Sequence, residues 1–398
     1  MQTDYDIVII GGGMVGSSLG LALSQTALRV AVVETRLASE KKKADSGKRA
    51  IALSWGSRCL FEQLGVWQAM SASAMPIKHI HVSDRGHFAK TRLSASRQKV
   101  DALGYVVEAA EIEMALSQRL AESSVDMFCP AALSAYQIEQ DEVRVDLKLG
   151  DVHQQISCRL LVGADGAQSL VRQLGGFSVE ENDYQQTAIT TLLKVEADVT
   201  DVAYERFTAE GPIALLPHFD NLYSLVWSLP KQTAQDMLGL SDVEFIRRLQ
   251  SQFGYWLGEL SLAGPRQSFA LSLLKVIDAV SDRVVLLGNA AHQVHPVAGQ
   301  GFNLGLRDAA ELADIIMTDG LVDIDNVLKD YANKRKVDQQ LITGFTDQVV
   351  QLFSSENACL SVLRNSGLLL LDKVPVLGNE FARHAMGLNV RLARLGES

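Results

Sequence analysis

The sequence has only four cysteines, Cys59, Cys129, Cys158 and Cys359, with no CxxC pair and no Cys/His cluster at zinc-finger spacing. They are expected to be reduced, buried thiols, and no metal site is expected. With 8 prolines and 30 glycines among 398 residues, collagen-like, proline-rich and broadly disordered chains are excluded. Positive charge is short as well. Lys and Arg number 37 against 47 Asp and Glu, and the net charge of −10 has the wrong sign for a general nucleic-acid binder. No apolar run approaches the roughly 18 residues of a membrane span. The longest candidates are Ile7 to Ile10 and Leu368 to Leu371 with their neighbours. The opening MQTDYDIVIIGGG carries an acid in place of a basic segment and enters a strand at once, so neither a signal nor a transit peptide is expected. Together these absences point to a cytoplasmic chain.

What is present is enough for two to three domains of about 150 residues, each able to bury a core. Tyr5 to Ile10 is a short β-branched run, Met14 to Ser24 suits a buried helix, and Arg29 to Glu34 is a second apolar run. Strand, glycine turn, helix and strand in about 30 residues make a βαβ unit. Ser39 to Lys48, with three consecutive lysines, reads as a mobile loop. Val143 to Leu149, Ala188 to Val195 and Ala203 to Leu229 are sheet-like, the last broken by Gly211, Pro212 and Pro217 and closed by Pro230. Two further strand-turn-helix units, Leu160 to Leu174 and Arg283 to Thr318, lie far from the first. The expected fold is therefore α/β with an α+β insertion: a Rossmann-like domain assembled from three discontinuous segments, and a mixed β-sheet domain between them. The boundaries expected are 1–75, 106–180 and 276–345 for the nucleotide-binding segments, 76–105 and 181–275 for the inserted sheet, and 346–398 for a helical tail.

The first motif is GGGMVG, directly after a strand and opening a helix. Gly11 permits the tight turn, Gly13 lets backbone approach a pyrophosphate, and Gly16 lets the helix pack on the strand; Met14 and Val15 belong to the same contact. Glu34 lies about 18 residues past Gly16, near the spacing of a carboxylate that binds ribose hydroxyls. A carboxylate there would repel the 2′-phosphate of NADP, so the site should hold the ADP part of FAD or NAD. The second motif is LLVGADGAQSLVR, Leu160 to Arg172; the third is VVLLGNAAHQVHPVAGQGFNLGLRDA, Val284 to Ala309.

These three ordered segments resemble the fingerprints of the class A flavoprotein aromatic monooxygenases, of the p-hydroxybenzoate hydroxylase-like fold. AYERFTAEGPIALLP, Ala203 to Pro217, resembles the substrate-domain sheet of the same family, so the likeness covers most of the chain. It implies FAD as cofactor and NAD(P)H as electron donor, docking transiently. Asp165 resembles the aspartate near the FAD pyrophosphate, although an aspartate before a helix is also a common cap. Arg49 in KRAIALS resembles the arginine that approaches the flavin; its other reading is a surface arginine. Asn289 stands where an aspartate commonly accepts from the ribityl chain, keeping one carbonyl acceptor and losing the charge. With HPVAGQGFNLG, this variant is similar to the 2-polyprenyl-6-methoxyphenol hydroxylase branch of the ubiquinone-biosynthesis hydroxylases.

By the same resemblance Pro296, Gly299, Gln300, Gly301 and Asn303 should meet the reactive ring. A helix starting near Gly301 would direct N–H groups at the flavin N1 and C2 carbonyl, a contribution of about 0.3–2 kcal/mol. His292 and His295, lacking a visible carboxylate partner, are read as structural, and no catalytic residue is assigned. The family's chemistry is transfer of oxygen from O₂, held as a flavin C4a-hydroperoxide, to an electron-rich phenol, here a hydrophobic prenylated phenol. Two other readings stay open: a hydroxylase of a small soluble aromatic acid, and a prenyl-binding escort protein without flavin chemistry. Ser366 to Gly396, apolar with Arg383, Arg391 and Arg394, is a candidate contact with the inner face of a membrane or with a multi-enzyme complex. Pro375 and Gly378 interrupt it, and the other reading is a C-terminal helix packed on the domain with a solvated basic end.

Overall fold

The computed structural model describes residues 3–37, 49–87, 90–198 and 200–354, with positions 370, 372–374, 378–380, 382–383 and 386–388. The lysine-rich stretch Ser39 to Lys48, Cys359, Pro375, Arg391 and Arg394 lie outside the described residues.

The apolar run at the start forms β1 (Tyr5–Ile10), followed by α1 (Met14–Leu23) and β2 (Val30–Val33). β1 reads as a continuous apolar run because both its faces are covered. Ile7 and Ile9 pack with Leu19 and Leu23 of α1, while Val8 and Ile10 pack with Val143 and Val145 on the other side. β2 pairs parallel to β1, Ile7 opposite Val30. On the other flank β1 pairs parallel with β11 (Val152–Gly163), which in turn pairs parallel with β19 (Val284–Leu286). β8 (Asp126–Phe128) extends the sheet beyond β2, β18 (Val280–Ser281) beyond β19, and β9 (Ala132–Ile138) and β10 (Val143–Leu149) form a meander on β11. Three separated stretches of chain thus meet in one sheet, as expected, and α2 (Ala109–Ala121) and α5 (Gln300–Asp319) join α1 on its face.

The second sheet runs β20-β17-β12-β15-β14-β13-β5-β6, comprising His292–Gln293, Gln267–Val276, Val179–Val195, Leu222–Pro230, Gly211–Pro217, Val202–Thr208, His79–Asp84 and Lys90–Ser94, with β16 (Leu260–Leu262) on β12. One face is covered by α3 (Lys231–Gly239) and α4 (Asp242–Phe253). Phe245, Leu249 and Phe253 recur at helical spacing along α4, and Ser241 caps it by accepting from Glu244 N at 3.3 Å. Alternation sorts the strands. Tyr204, Ile213 and Leu215 point under the helices, whereas Ala203, Phe207 and Leu216 point at the nucleotide-binding side. A small antiparallel sheet, β3 (Ala50–Ser54), β7 (Gly104–Glu108) and β4 (Met75–Ile77), lies in the seam, where Met75, Ile77 and Val106 pack against Ala203 and Leu216.

α6 (Ile324–Ser354) follows α5. Of the tail, Ala382 and Met386 are buried, Met386 O accepts from Gly56 N at 2.9 Å, and Asn379 accepts from Gln98 at 2.8 Å, so these residues pack on the molecule, whereas Leu370 and Val374 are exposed. Among the described residues no helix is long and apolar enough to cross a membrane, and no disulfide is present. Among the described cysteines, Cys158 is buried as expected, whereas Cys59 and Cys129 are partly exposed.

Candidate flavin site

The glycine turn is built by close packing at two positions and by open space at a third. Gly11 has φ +106°, and a Cβ there would stand 2.4 Å from Ala164 O; a Cβ on Gly16 would stand 1.9 Å from Gly11 O. At Gly13 nothing lies within 4 Å. α1 starts there with no side-chain cap and no acidic residue in its first turn, which leaves the N–H groups of Met14, Val15 and Gly16 directed into that space. Glu34 is buried at the end of β2 beside the turn, its Oε1 accepting from Arg36 N at 2.9 Å.

The second motif arrives through Ala164, whose N–H donates to Ile10 O at 2.8 Å. Asp165 Oδ2 accepts from Leu170 N at 2.7 Å and Val171 N at 3.2 Å, so its capping role is real. Its other oxygen, Oδ1, is buried with no hydrogen-bond partner. Such an atom is costly without a ligand.

The third motif places Gly288 against Val15, whose side chain a Cβ on Gly288 would meet at 3.1 Å, and leaves Asn289 exposed beside α1. Pro296 leads the turn Val297–Gly299, where Gly299 N donates to Pro296 O at 3.0 Å and α5 begins. Gln300 is buried and Gly301 half-buried. Asn303 has spent its side chain: Oδ1 accepts from Ser54 N at 2.8 Å and Ser57 Oγ at 2.7 Å, and Nδ2 donates to Ala52 O at 2.8 Å and Gly299 O at 2.7 Å. It pins the turn to β3, and any contact with a ligand falls to its backbone. Arg49 is exposed just ahead of β3.

Below the turn lies a buried ionic cluster that the sequence reading missed. Asp308 Oδ2 meets His292 Nε2 at 2.5 Å and accepts from Gly288 N at 3.2 Å, while its Oδ1 accepts from Arg335 Nε at 2.8 Å and Gln339 Nε2 at 3.0 Å. Asp338 joins Arg307 at 2.9 Å and Arg335 at 2.7 Å. Burial alone would raise the Asp308 pKa, but His292 and Arg335 outweigh it and hold the carboxyl well below its usual range. The expectation that neither histidine has a carboxylate partner is therefore corrected for His292, whose partner comes from the next helix. His295 has none; burial pushes it down to about 4, and it bonds Gln186 at 3.2 Å. Arg172, assigned no role from sequence, donates to Ala290 O at 3.0 Å and Ala167 O at 2.7 Å, tying the second motif to the third.

The structure thus brings Gly11 to Gly16, Asp165 and Asn289 around one open helix start, with Glu34 at one end and Pro296 to Gly301 at the other. An anion cradle, an unpartnered buried carboxylate oxygen and a ribose-type carboxylate fit a dinucleotide. Residues 4–342 match the model of the FAD binding domain family. The chain belongs to that family. Over 96% of its length it is 33% identical to ubiquinone hydroxylase UbiL of Rhodospirillum rubrum, covering 89% of that protein. It is 32% identical to the 3-demethoxyubiquinol 3-hydroxylase of Escherichia coli, across 96% of this chain and 98% of the relative. Among solved structures, p-nitrophenol 4-monooxygenase PnpA from Pseudomonas putida superposes with a TM-score of 0.80 at 18% identity, covering 98% of this chain and 100% of that one, which shows a shared fold. FAD is the cofactor of this family member, and its enzyme class is the FAD-dependent aromatic monooxygenases.

Proposed function

We propose that the protein hydroxylates the ring of a polyprenylated methoxyphenol on the way to ubiquinone, with NAD(P)H as electron donor and O₂ as oxidant, at the inner face of a membrane. The observation that carries the substrate reading is the charge of the wall facing the Val297–Gly299 turn. Phe207 packs on Val297, so the residues of β13 that share its face, Ala203 and Glu205, look toward the flavin turn, as do Leu216 of β14 and Val82 of β5. On this face of β5 and β13–β15 the charged side chains are Asp84 and Glu205, both acids. No strand residue of this face carries a basic side chain to pair a substrate carboxylate, and a neutral phenol with an apolar tail needs none. The apolar seam of Met75, Ile77, Val106 and Leu216 offers that tail a path, and each buried methylene contributes about 0.8 kcal/mol.

When bound, FAD supplies the redox and oxygen chemistry. The chain's own residues would hold it: the α1 start would take the pyrophosphate, Glu34 the ribose, and the N–H groups at the α5 start would favour negative charge on the reduced ring. The hydroxylase names of the relatives support this reading over an escort protein. The test is quinone-intermediate profiling in cells lacking the protein, complemented by wild type and by Gly13→Val. Accumulation of a prenylated phenol, reversed by wild type alone, is expected. Normal ubiquinone without accumulation, or turnover of a soluble hydroxybenzoate by the purified protein, would overturn the assignment.

A further inference from the structure

The protein is acidic, yet one edge of the large sheet is strongly basic. Lys78 to Lys99, the β5–β6 hairpin with its flanks, holds six Lys and Arg against one Asp, and three of the eight histidines, in a chain of net charge −10. All six cations are exposed. Among the described residues only Lys78 of the six has an acid at ion-pair distance, Asp201 at 3.5 Å. β6 is the last strand of the sheet, and charges on an open edge discourage pairing with another chain. That accounts for Lys90 and Arg92, but not for Lys78, Arg85, Arg97 and Lys99, which lie off the two strands.

Strand register gives the hairpin one polar face. His81 lies opposite Arg92, His79 opposite Ser94 and Ser83 opposite Lys90, and the face continues onto Tyr204 and Arg206 of β13. His79, His81, Arg92 and Arg97 line a pocket of about 400 Å³, and His81 Nε2 is buried with no hydrogen-bond partner. Burial, followed by Arg92, Lys90 and Arg206, pushes the His81 pKa down to about 4, with Asp372 of the tail acting the other way.

Aromatic and apolar groups rim this charge. Trp256 stacks on His81 at 4.6 Å between ring centroids and carries the Arg206 guanidinium 4.7 Å from its own, yet it stays 43% exposed, and Tyr255 beside it is 70% exposed. On either side of Asp372, Leu370 and Val374 are exposed one helical turn apart, Val374 N donating to Leu370 O at 2.8 Å.

We infer that this edge is the surface by which the protein lies on a bilayer containing anionic phospholipid, with lipid phosphates on Arg92 and Arg97 and with Tyr255 and Trp256 at headgroup level. The inference rests on the membrane reading proposed above and names the surface that serves it. Position favours a bilayer over another polyanion. Ile80, on the reverse face of β5 and opposite Ala203 of β13, packs against the seam of Met75, Ile77 and Val106. Docking here therefore brings the apolar path proposed for the prenyl tail within one strand of the lipid.

The test is partition of the FAD-loaded protein onto vesicles of phosphatidylcholine, alone or with about one third phosphatidylglycerol. Wild type is expected to bind the mixed vesicles, to ignore the neutral ones and to be released by about 0.5 M salt. Arg92→Gln/Arg97→Gln should weaken partition about 30-fold, and Tyr255→Ser by less, with FAD affinity and turnover of a water-soluble phenol unchanged. Arg119→Gln/Lys148→Gln, which removes exposed cations of the nucleotide-binding domain, should leave partition as it was. Equal loss in that control pair, or partition indifferent to lipid charge, overturns the inference. So does a raised KM for NAD(P)H in Arg92→Gln/Arg97→Gln with vesicle binding intact, which would assign these cations to the nucleotide. Binding to polyglutamate without binding to mixed vesicles would assign the edge to an acidic protein and overturn it too. Wild type that hydroxylates a prenylated phenol in detergent but ignores the vesicles overturns the docking surface alone, whereas wild type that docks but leaves that phenol unchanged overturns the substrate reading alone.

Discussion

The two ends of the flavin site are made in opposite ways. At the nucleotide end the sequence removes side chains: Gly11 and Gly16 let backbones touch, and Gly13 leaves room. At the ring end it adds them, with Asn303 making four bonds and Asp308 holding His292, Gly288, Arg335 and Gln339. A dinucleotide phosphate needs backbone N–H groups and space, which a local turn provides. A turn that must hold its shape beside a reactive ring needs supports from elsewhere in the chain, and these come from β3 and α6.

Breaking the comparison at its most heavily bonded point should have the largest effect. Asp308→Ala takes one of two carboxylates from buried Arg335, 1% exposed, and leaves His292 and Gly288 N without their acceptor, and is expected to cost about 3–5 kcal/mol in chemical denaturation. Acid tests the same end. His295, held near 4 by burial against 6.5 when exposed, is neutral when folded, so between those values the unfolded chain binds more protons. This contribution is complete above pH 6.5 and is lost on acidification toward pH 4, by about 3 kcal/mol. The difference in denaturation free energy between wild type and His295→Gln should shrink across that window; a constant difference refutes the assignment.

At the nucleotide end the expected pattern reverses. Gly13→Val meets open space in the protein and should change stability by no more than about 0.5 kcal/mol. It fills the phosphate cradle, so FAD affinity should fall by at least about 100-fold in a flavin titration. A variant that unfolds instead would erase the contrast between the two ends. The smallest change is at Asn289, where a carboxylate accepts more strongly than an amide. Asn289→Asp should tighten FAD by about 1 kcal/mol or less. A large loss would mean that the amide donates.

This contrast also explains what could be read from sequence. The glycines, Glu34 and Asp165 sit in short strand-turn-helix units, where spacing alone reports geometry, and the three-segment domain was legible from their order. The supports were not. Ser54 and Asn303 are 249 positions apart, and His292 finds Asp308 only because the turn folds back onto α5. Arg172 is one of many arginines by sequence, and its burial depends on β11 and β19 being neighbours.

The central strand order carries a consequence for synthesis. β11 must pair on one side with β1, already made, and on the other with β19, which is made far later. At about 5–20 residues per second, a growing chain carries the Leu161 to Gly163 edge without its partner for roughly 10 s after it leaves the ribosome. That edge is apolar and buried in the finished molecule, so for this interval the nascent chain is open to wrong pairings. On the proposed site, capture of FAD draws on the third motif and so follows β19, and flavin supply would then not protect the chain during the period when protection is most needed.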